Sequence, residues 1–132
     1  MSIETWKKQY YPIPASRCIS ANALGHSILK WTGATPAALK RHGLTSYQTD
    51  LRDDQGNSFR FNNYSCALCV RFDNCYFGPA SENPCPVKLV IGDTCREEFL
   101  EWDDTGNAGP MLALLRRVKR EVAKRGKVKK AV

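Results

Sequence analysis

An α+β fold, with a small antiparallel sheet set among several helices, is what this sequence predicts. Three observations lead there: apolar residues recur at helical spacing in separate stretches, one stretch around residue 50 alternates as a hairpin does, and clusters of turn residues separate the two. At 132 residues the chain fits one domain, since single domains commonly run to about 100–150 residues.

A short helix carrying Trp6 opens the chain and is followed by Tyr10-Tyr11-Pro12-Ile13-Pro14, where two prolines one residue apart force an extended arm. From Ser20, a candidate N-cap, Ala21, Leu24, Ile28 and Trp31 recur at helical spacing until Gly33. Thr35-Pro36 starts a second, shorter helix that Gly43 closes. A strand is expected over Leu44 to Leu51, where Tyr47, Thr49 and Leu51 alternate. The turn Asp53-Asp54-Gln55-Gly56-Asn57 and a second strand, Ser58 to Phe61, complete a hairpin.

Further on, the β-rich run Val87 to Ile91 is a candidate strand beside that hairpin. Thr94 and Glu97 have the spacing of a capping box and open a helix with Phe99 and Trp102 facing the core. A loop over 103–109 leads to Pro110 as the first residue of a last helix, expected to end near Arg125. That helix carries Met111, Leu114 or Leu115, Val118 and Val122 on one stripe. Residues 1–125 are thus expected as one domain, and 126–132 as a basic, disordered tail.

The chemistry concentrates in the cysteines. Cys66-Ala67-Leu68-Cys69 is a CxxC pair, and Cys75, Cys85 and Cys95 follow, so five thiols stand within thirty residues. Tetrahedral zinc takes four. A CxxC pair lets two sulfurs reach one ion from a tight turn, and the other two must come from separate elements so that coordination ties the chain to itself. Cys95, in the first turn of a helix, suits a thiolate because the positive helix end favours negative charge. Cys85, held between Pro84 and Pro86, is the expected fourth ligand, with Cys75 as its alternate.

The set Cys66, Cys69, Cys85 and Cys95 leaves no coordination position for water or substrate, so the Zn2+ is expected to be structural. An iron–sulfur cluster also uses four thiolates and is the competing cofactor. A disulfide framework needs an oxidising compartment, to which no apolar leader directs the chain, so a cytoplasmic setting is expected. Cys18 stands apart from the group in sequence and is expected as a core thiol.

The net charge of +7 is distributed unevenly. Between Arg116 and Lys130 nine basic residues accompany one acid, Glu121, for a local charge of +8 that leaves −1 elsewhere. An electrostatic partner, nucleic acid or an acidic protein surface, would therefore meet Arg116, Arg117, Lys119, Arg120, Lys124 and Arg125.

Catalytic motifs are not evident. His26 and His42 lack a paired base or carboxylate, and the acidic turn Asp53-Asp54 reads as a solvated loop, so a metal-dependent nuclease is the weaker reading. His42, at a helix C-terminus, stands where a cation is favoured.

Tyr11-Pro12-Ile13-Pro14-Ala15, His26-Ser27, Lys30-Trp31-Thr32-Gly33, the CxxC pair, Cys85-Pro86, Cys95, Trp102 and Pro110-Met111 together resemble a type of small cysteine-cluster protein of tailed bacteriophages and mobile elements. The interval from Cys75 to Cys85 is longer than in that type, which sets Cys75 apart. The resemblance implies a phage-encoded protein that binds and redirects a host machine, such as a defence system. The expectation is thus a non-enzymatic, zinc-stabilised binding protein that engages a host protein or a protein–nucleic-acid complex. Direct DNA or RNA binding through the basic helix is the alternative.

Overall fold

A computed structural model describes residues 2–62, 65–72, 85–93 and 95–131, and from residue 125 onward the backbone alone. The fold is α+β: seven helices and one three-stranded antiparallel sheet among the described residues.

Helix α1 (Ile3–Tyr10) is fixed at its start by a reciprocal capping box. Ser2 Oγ accepts from the Thr5 amide at 3.2 Å, and Thr5 Oγ1 accepts from the Ser2 amide at 3.0 Å. The Asp53 carboxylate adds a third tie, accepting from the Ile3 amide at 3.1 Å while also accepting from the Gln55 and Asn57 amides of its own turn. The acidic turn expected as a merely solvated loop therefore anchors the hairpin to the first helix.

Helices α2 (Ala23–Thr32) and α3 (Pro36–Arg41) follow as expected, with Pro36 in the first turn of α3. Ser20 begins a short 3-10 turn, and the N-cap of α2 is Asn22. Its fully buried face is also rotated from the expected stripe: it carries Ala23, Ser27, Lys30 and Trp31, while Ala21 is exposed. The spacing is still helical. Two of the four inward positions are polar, which an apolar stripe cannot register.

The expected strand from Leu44 to Leu51 is two strands, β1 (Thr45–Tyr47) and β2 (Asp50–Arg52), because Gln48 takes a left-handed conformation at φ 53° and turns the chain. Strand β3 (Ser58–Arg60) pairs with β2, placing Leu51 opposite Phe59 on the core side and Asp50 opposite Arg60 on the other. Arg60 Nε donates to Asp50 at 3.0 Å.

The β-rich run Val87–Ile91 is helix α5 (Pro86–Ile91), not a strand beside the hairpin. Pro86 pre-sets the first helical φ, and Gly92 closes the helix at φ 72°, so the punctuation outweighs the β-branched composition. Helix α6 (Arg96–Thr105) begins after Cys95 as N-cap, which makes Glu98 rather than Glu97 the third helical residue. Thr94, expected as the cap, lies outside the described residues. Helix α6 runs two residues past the expected loop start and ends on Gly106 at φ 75°.

Helix α7 (Gly109–Ala131) buries Met111, Leu112, Leu114, Leu115 and Val118 against α2, α5 and α6. Its backbone passes the expected end near Arg125, since one glycine among good helix formers weakens a helix without breaking it. No helix among the described residues is long and apolar enough to cross a membrane.

An aromatic cluster forms the centre of the core. Trp6 meets Phe59 at 5.0 Å between ring centroids, Phe61 stacks on Trp102 at 4.8 Å, and Trp31 stands edge-on to both Phe61 and Trp102. The buried Trp6 indole N–H donates to the Gly33 carbonyl at 2.8 Å. A methyl group at Gly33 would lie 2.6 Å from Tyr10 Cγ and 2.7 Å from Trp6 Nε1, so glycine is required there for closeness. Gly33→Ala should cost about 1–3 kcal/mol through overpacking, measurable by chemical denaturation. Wild-type stability in this variant would contradict the packing described.

His42 does not behave as a favoured cation. It caps α3 but is buried, with Nδ1 3.1 Å from Thr5 Oγ1 and Nε2 2.8 Å from Gln9 Oε1. Desolvation first, then the charges of Arg41 and the chain terminus, hold its pKa below the ordinary 6.5. The folded state therefore prefers the neutral ring. Its contribution to stability is complete above pH 6.5 and is lost as the pH falls from there through the lowered folded pKa. Replacing His42 with Gln should flatten the stability profile just below pH 6.5, read from urea midpoints; an unchanged slope would contradict this.

Candidate metal centre and basic helix

Three separate short elements begin on a cysteine. Cys66 is the N-cap of α4 (Ala67–Arg71), Cys85 of α5 and Cys95 of α6. Each carbonyl starts its helix: Cys66 accepts from the Val70 amide at 3.0 Å, Cys85 from Leu89 at 3.1 Å and Cys95 from Phe99 at 3.0 Å. In this position a side chain stands at the positive end of the peptide dipoles. Cys69 sits one turn into α4, on the same side as Cys66.

The thiols differ in surroundings. Cys85 is 2 % exposed, whereas Cys66, Cys69 and Cys95 are partly buried. None of these, nor Cys18, forms a disulfide. The Cys66 thiol is held well below its ordinary range, first by a hydrogen bond with the Cys69 side chain and then by the Lys30 charge, the Cys69 amide and the Ser27 hydroxyl, all against the opposing effect of burial. Ser27 Oγ lies 3.7 Å from Cys66 Sγ. A thiolate at Cys66 is thus the form the fold favours.

Lys30 is the residue that sequence reasoning missed. It is 1 % exposed, and its Nζ donates to the Ser65 carbonyl at 3.2 Å. That carbonyl is steadied by an exchange between Ser65 and Asn62, in which each amide donates to the other's side chain. The ammonium also lies 4.8 Å from the Phe61 ring centroid and 5.5 Å from that of Trp31. Burial lowers the Lys30 pKa, while the thiols of Cys66, Cys69 and Cys95 oppose that shift. Three of the four expected ligands therefore share one buried cation. The available signal was Lys30's place at i, i+4, i+7 and i+8 with Ala23, Ser27 and Trp31.

The donor types, a CxxC pair in contact and a lowered thiol, are those a thiophilic ion prefers. The arrangement does not match that chemistry: among the described residues no three His, Cys, Asp or Glu side chains are placed to hold an ion together, so Cys66, Cys69, Cys85 and Cys95 are not gathered into the expected ligand set. Cys75 lies outside the described residues. Cys18, distant in sequence, is nearer in space than expected. It is buried, α4 packs on the adjacent turn Ala15–Arg17, and the Tyr11 pKa is raised by burial first and then by the thiols of both Cys66 and Cys18.

Both histidines are held by packing. His26 Nε2 bonds to the Ile13 carbonyl and its ring meets Tyr11 edge-on at 5.0 Å; His42 is held as described above.

On α7 the core ends at Val118. Val122, the next residue on the buried line, is 43 % exposed, which corrects its expected place in the stripe. Arg116, Arg117, Lys119, Arg120 and Lys124 are exposed, and Lys124 pairs with Glu121 at 3.6 Å. Of Arg125 only the backbone is described. Helix α7 would span roughly 35 Å at 1.5 Å per residue, and among its described side chains the last buried one is Val118.

No protein-family model matches this chain, and no curated protein or solved structure matches it either. Its site therefore rests on its own geometry.

Proposed function

We propose that the protein is a non-enzymatic binding module in which a zinc–thiolate centre stabilises the body and α7 presents a cationic helix to nucleic acid. The carrying observation is that α7 leaves the core after Val118 with Arg116, Arg117, Lys119, Arg120 and Lys124 all exposed. A helix that docks in a protein groove needs apolar anchors at i, i+3, i+4 and i+7. Beyond Val118 the chain offers only Val122, Ala123, Val128, Ala131 and Val132 among seven further basic residues, which suits phosphates better than an apolar groove. An acidic surface on a host protein or protein–nucleic-acid complex, the partner implied by the phage-protein resemblance, would use the same charges.

The zinc would be held by Cys66, Cys69, Cys95 and Cys85, with Cys75 as alternate. Its role would be structural, joining the starts of α4, α5 and α6, and four thiolates would leave no position for substrate. Phosphate binding predicts a characteristic salt dependence. Duplex DNA affinity, measured across salt concentrations, should fall steeply for the wild type. The triple variant Arg116→Gln, Arg120→Gln, Lys124→Gln should bind more weakly, with a log–log slope shallower by about 2–3. Equal slopes for the two proteins, or no binding at low salt, would refute the nucleic-acid reading and leave the acidic protein surface.

A further inference from the structure

Holding an ion takes three or four donors, but a disulfide takes two sulfurs, and the first turn of α4 brings two together. Cys66 is the N-cap, with extended backbone at φ −99° and ψ 113°, and Cys69 is the third helical residue. On an α-helix two residues three apart have Cα atoms about 5 Å from each other, within the roughly 4.4–6.8 Å that a disulfide spans. The two side chains hydrogen-bond to one another. Ser27, buried on α2, places its hydroxyl 3.7 Å from Cys66 Sγ. Both cysteines of the pair are partly exposed, so a small reagent can reach them, whereas Cys18 and Cys85 are buried. Among the described residues no third His, Cys, Asp or Glu joins the pair in a set that could hold an ion.

We propose that Cys66 and Cys69 are a redox-active dithiol, oxidised reversibly to a disulfide across the first turn of α4 by exchange with a small-molecule disulfide. Cys66 is the attacking sulfur, because the Ser27 hydroxyl stands ready to hydrogen-bond to it. With oxidised glutathione as the co-reactant, Cys66 Sγ bonds to one glutathione sulfur, and the other glutathione leaves as a thiol with the proton that Cys66 gave up. Cys69 Sγ then displaces the bound glutathione from Cys66, closing the protein disulfide, and the Cys69 proton goes to the second glutathione. The pair loses two electrons and two protons, and the glutathione disulfide gains both. This activity goes beyond the binding function proposed above and does not depend on it. Zinc would occupy the same two sulfurs, so the oxidised pair and a metal-bound pair exclude one another.

The test uses the full-length protein, reduced, stripped of metal and equilibrated with mixtures of reduced and oxidised glutathione. The samples are quenched with acid, alkylated and digested with trypsin without reduction. Cys66 and Cys69 are the two cysteines of the stretch between Arg60 and Arg71, which contains no other site for that protease. Their disulfide therefore reads as the loss of two hydrogens from one peptide together with protection of both sulfurs from alkylation. The oxidised mixtures should yield this linked peptide and the reduced mixtures should return both thiols. Cys69→Ser, which cannot complete the second step, should instead accumulate glutathione on Cys66.

Three results overturn the inference: both sulfurs still alkylated in fully oxidised glutathione, linkage of either one to Cys18, Cys75, Cys85 or Cys95 in preference, or a Cys69→Ser protein whose Cys66 takes up no glutathione. Should the variant fail to fold, the wild-type peptide decides the matter alone, since it needs no substitution.

Discussion

A lysine ammonium held out of water is the constraint on which the rest of this structure depends. Around Lys30 the fold assembles a fixed carbonyl from Ser65, the faces of Phe61 and Trp31, and the thiols of Cys66, Cys69 and Cys95. Each component comes from a different part of the chain: α2 brings the cation, the segment after β3 brings the carbonyl, and α4 and the start of α6 bring the sulfurs. The aromatic cluster does double duty. Phe61 and Trp31 belong both to the core around Trp6 and Trp102 and to the surroundings of the Lys30 ammonium. Packing and electrostatics are therefore coupled, and a change in one reaches the other through two rings.

Much of this was legible in the residues, and what was not has identifiable physical causes. The order of helices and hairpin followed from spacing and from Pro36 and Gly43, whose conformational demands are local. Val87–Ile91 has the β-branched composition of a strand, but Pro86 and Gly92 are the helix signals that the structure uses. The turn at Gln48 has no glycine to announce it, because a non-glycine residue takes the left-handed conformation there. The rotation of α2 was hidden for a deeper reason. Binary patterning places polar residues outside, so a face with Ser27 and Lys30 buried beside Trp31 cannot be recognised until the sulfurs that justify it are in place.

The candidate site divided similarly. The CxxC pair and Cys95 came from spacing and helix position, but among the described residues no three of these side chains are placed to hold an ion together; Cys85 is buried at the head of α5. The burial of Lys30 on the Ser65 carbonyl, and the packing of α4 on the turn that precedes Cys18, are tertiary facts with no linear motif. The basic helix was readable as charge, but where its core-facing stripe ends was not. Val118 and Val122 have the same side chain at helical spacing, and only the extent of α2, α5 and α6 decides that the first is buried and the second exposed. Two features thus stand apart: a body packed around an aromatic core with Lys30 buried in it, and a last helix whose described basic side chains are exposed.

The central claim, that these sulfurs form one metal–thiolate centre, is tested most directly by X-ray absorption at the zinc edge on protein purified without chelator. The account predicts about one zinc per chain with a shell of four sulfurs at about 2.3 Å. A shell containing nitrogen or oxygen, or protein that carries no metal while its thiols are reduced, would contradict it.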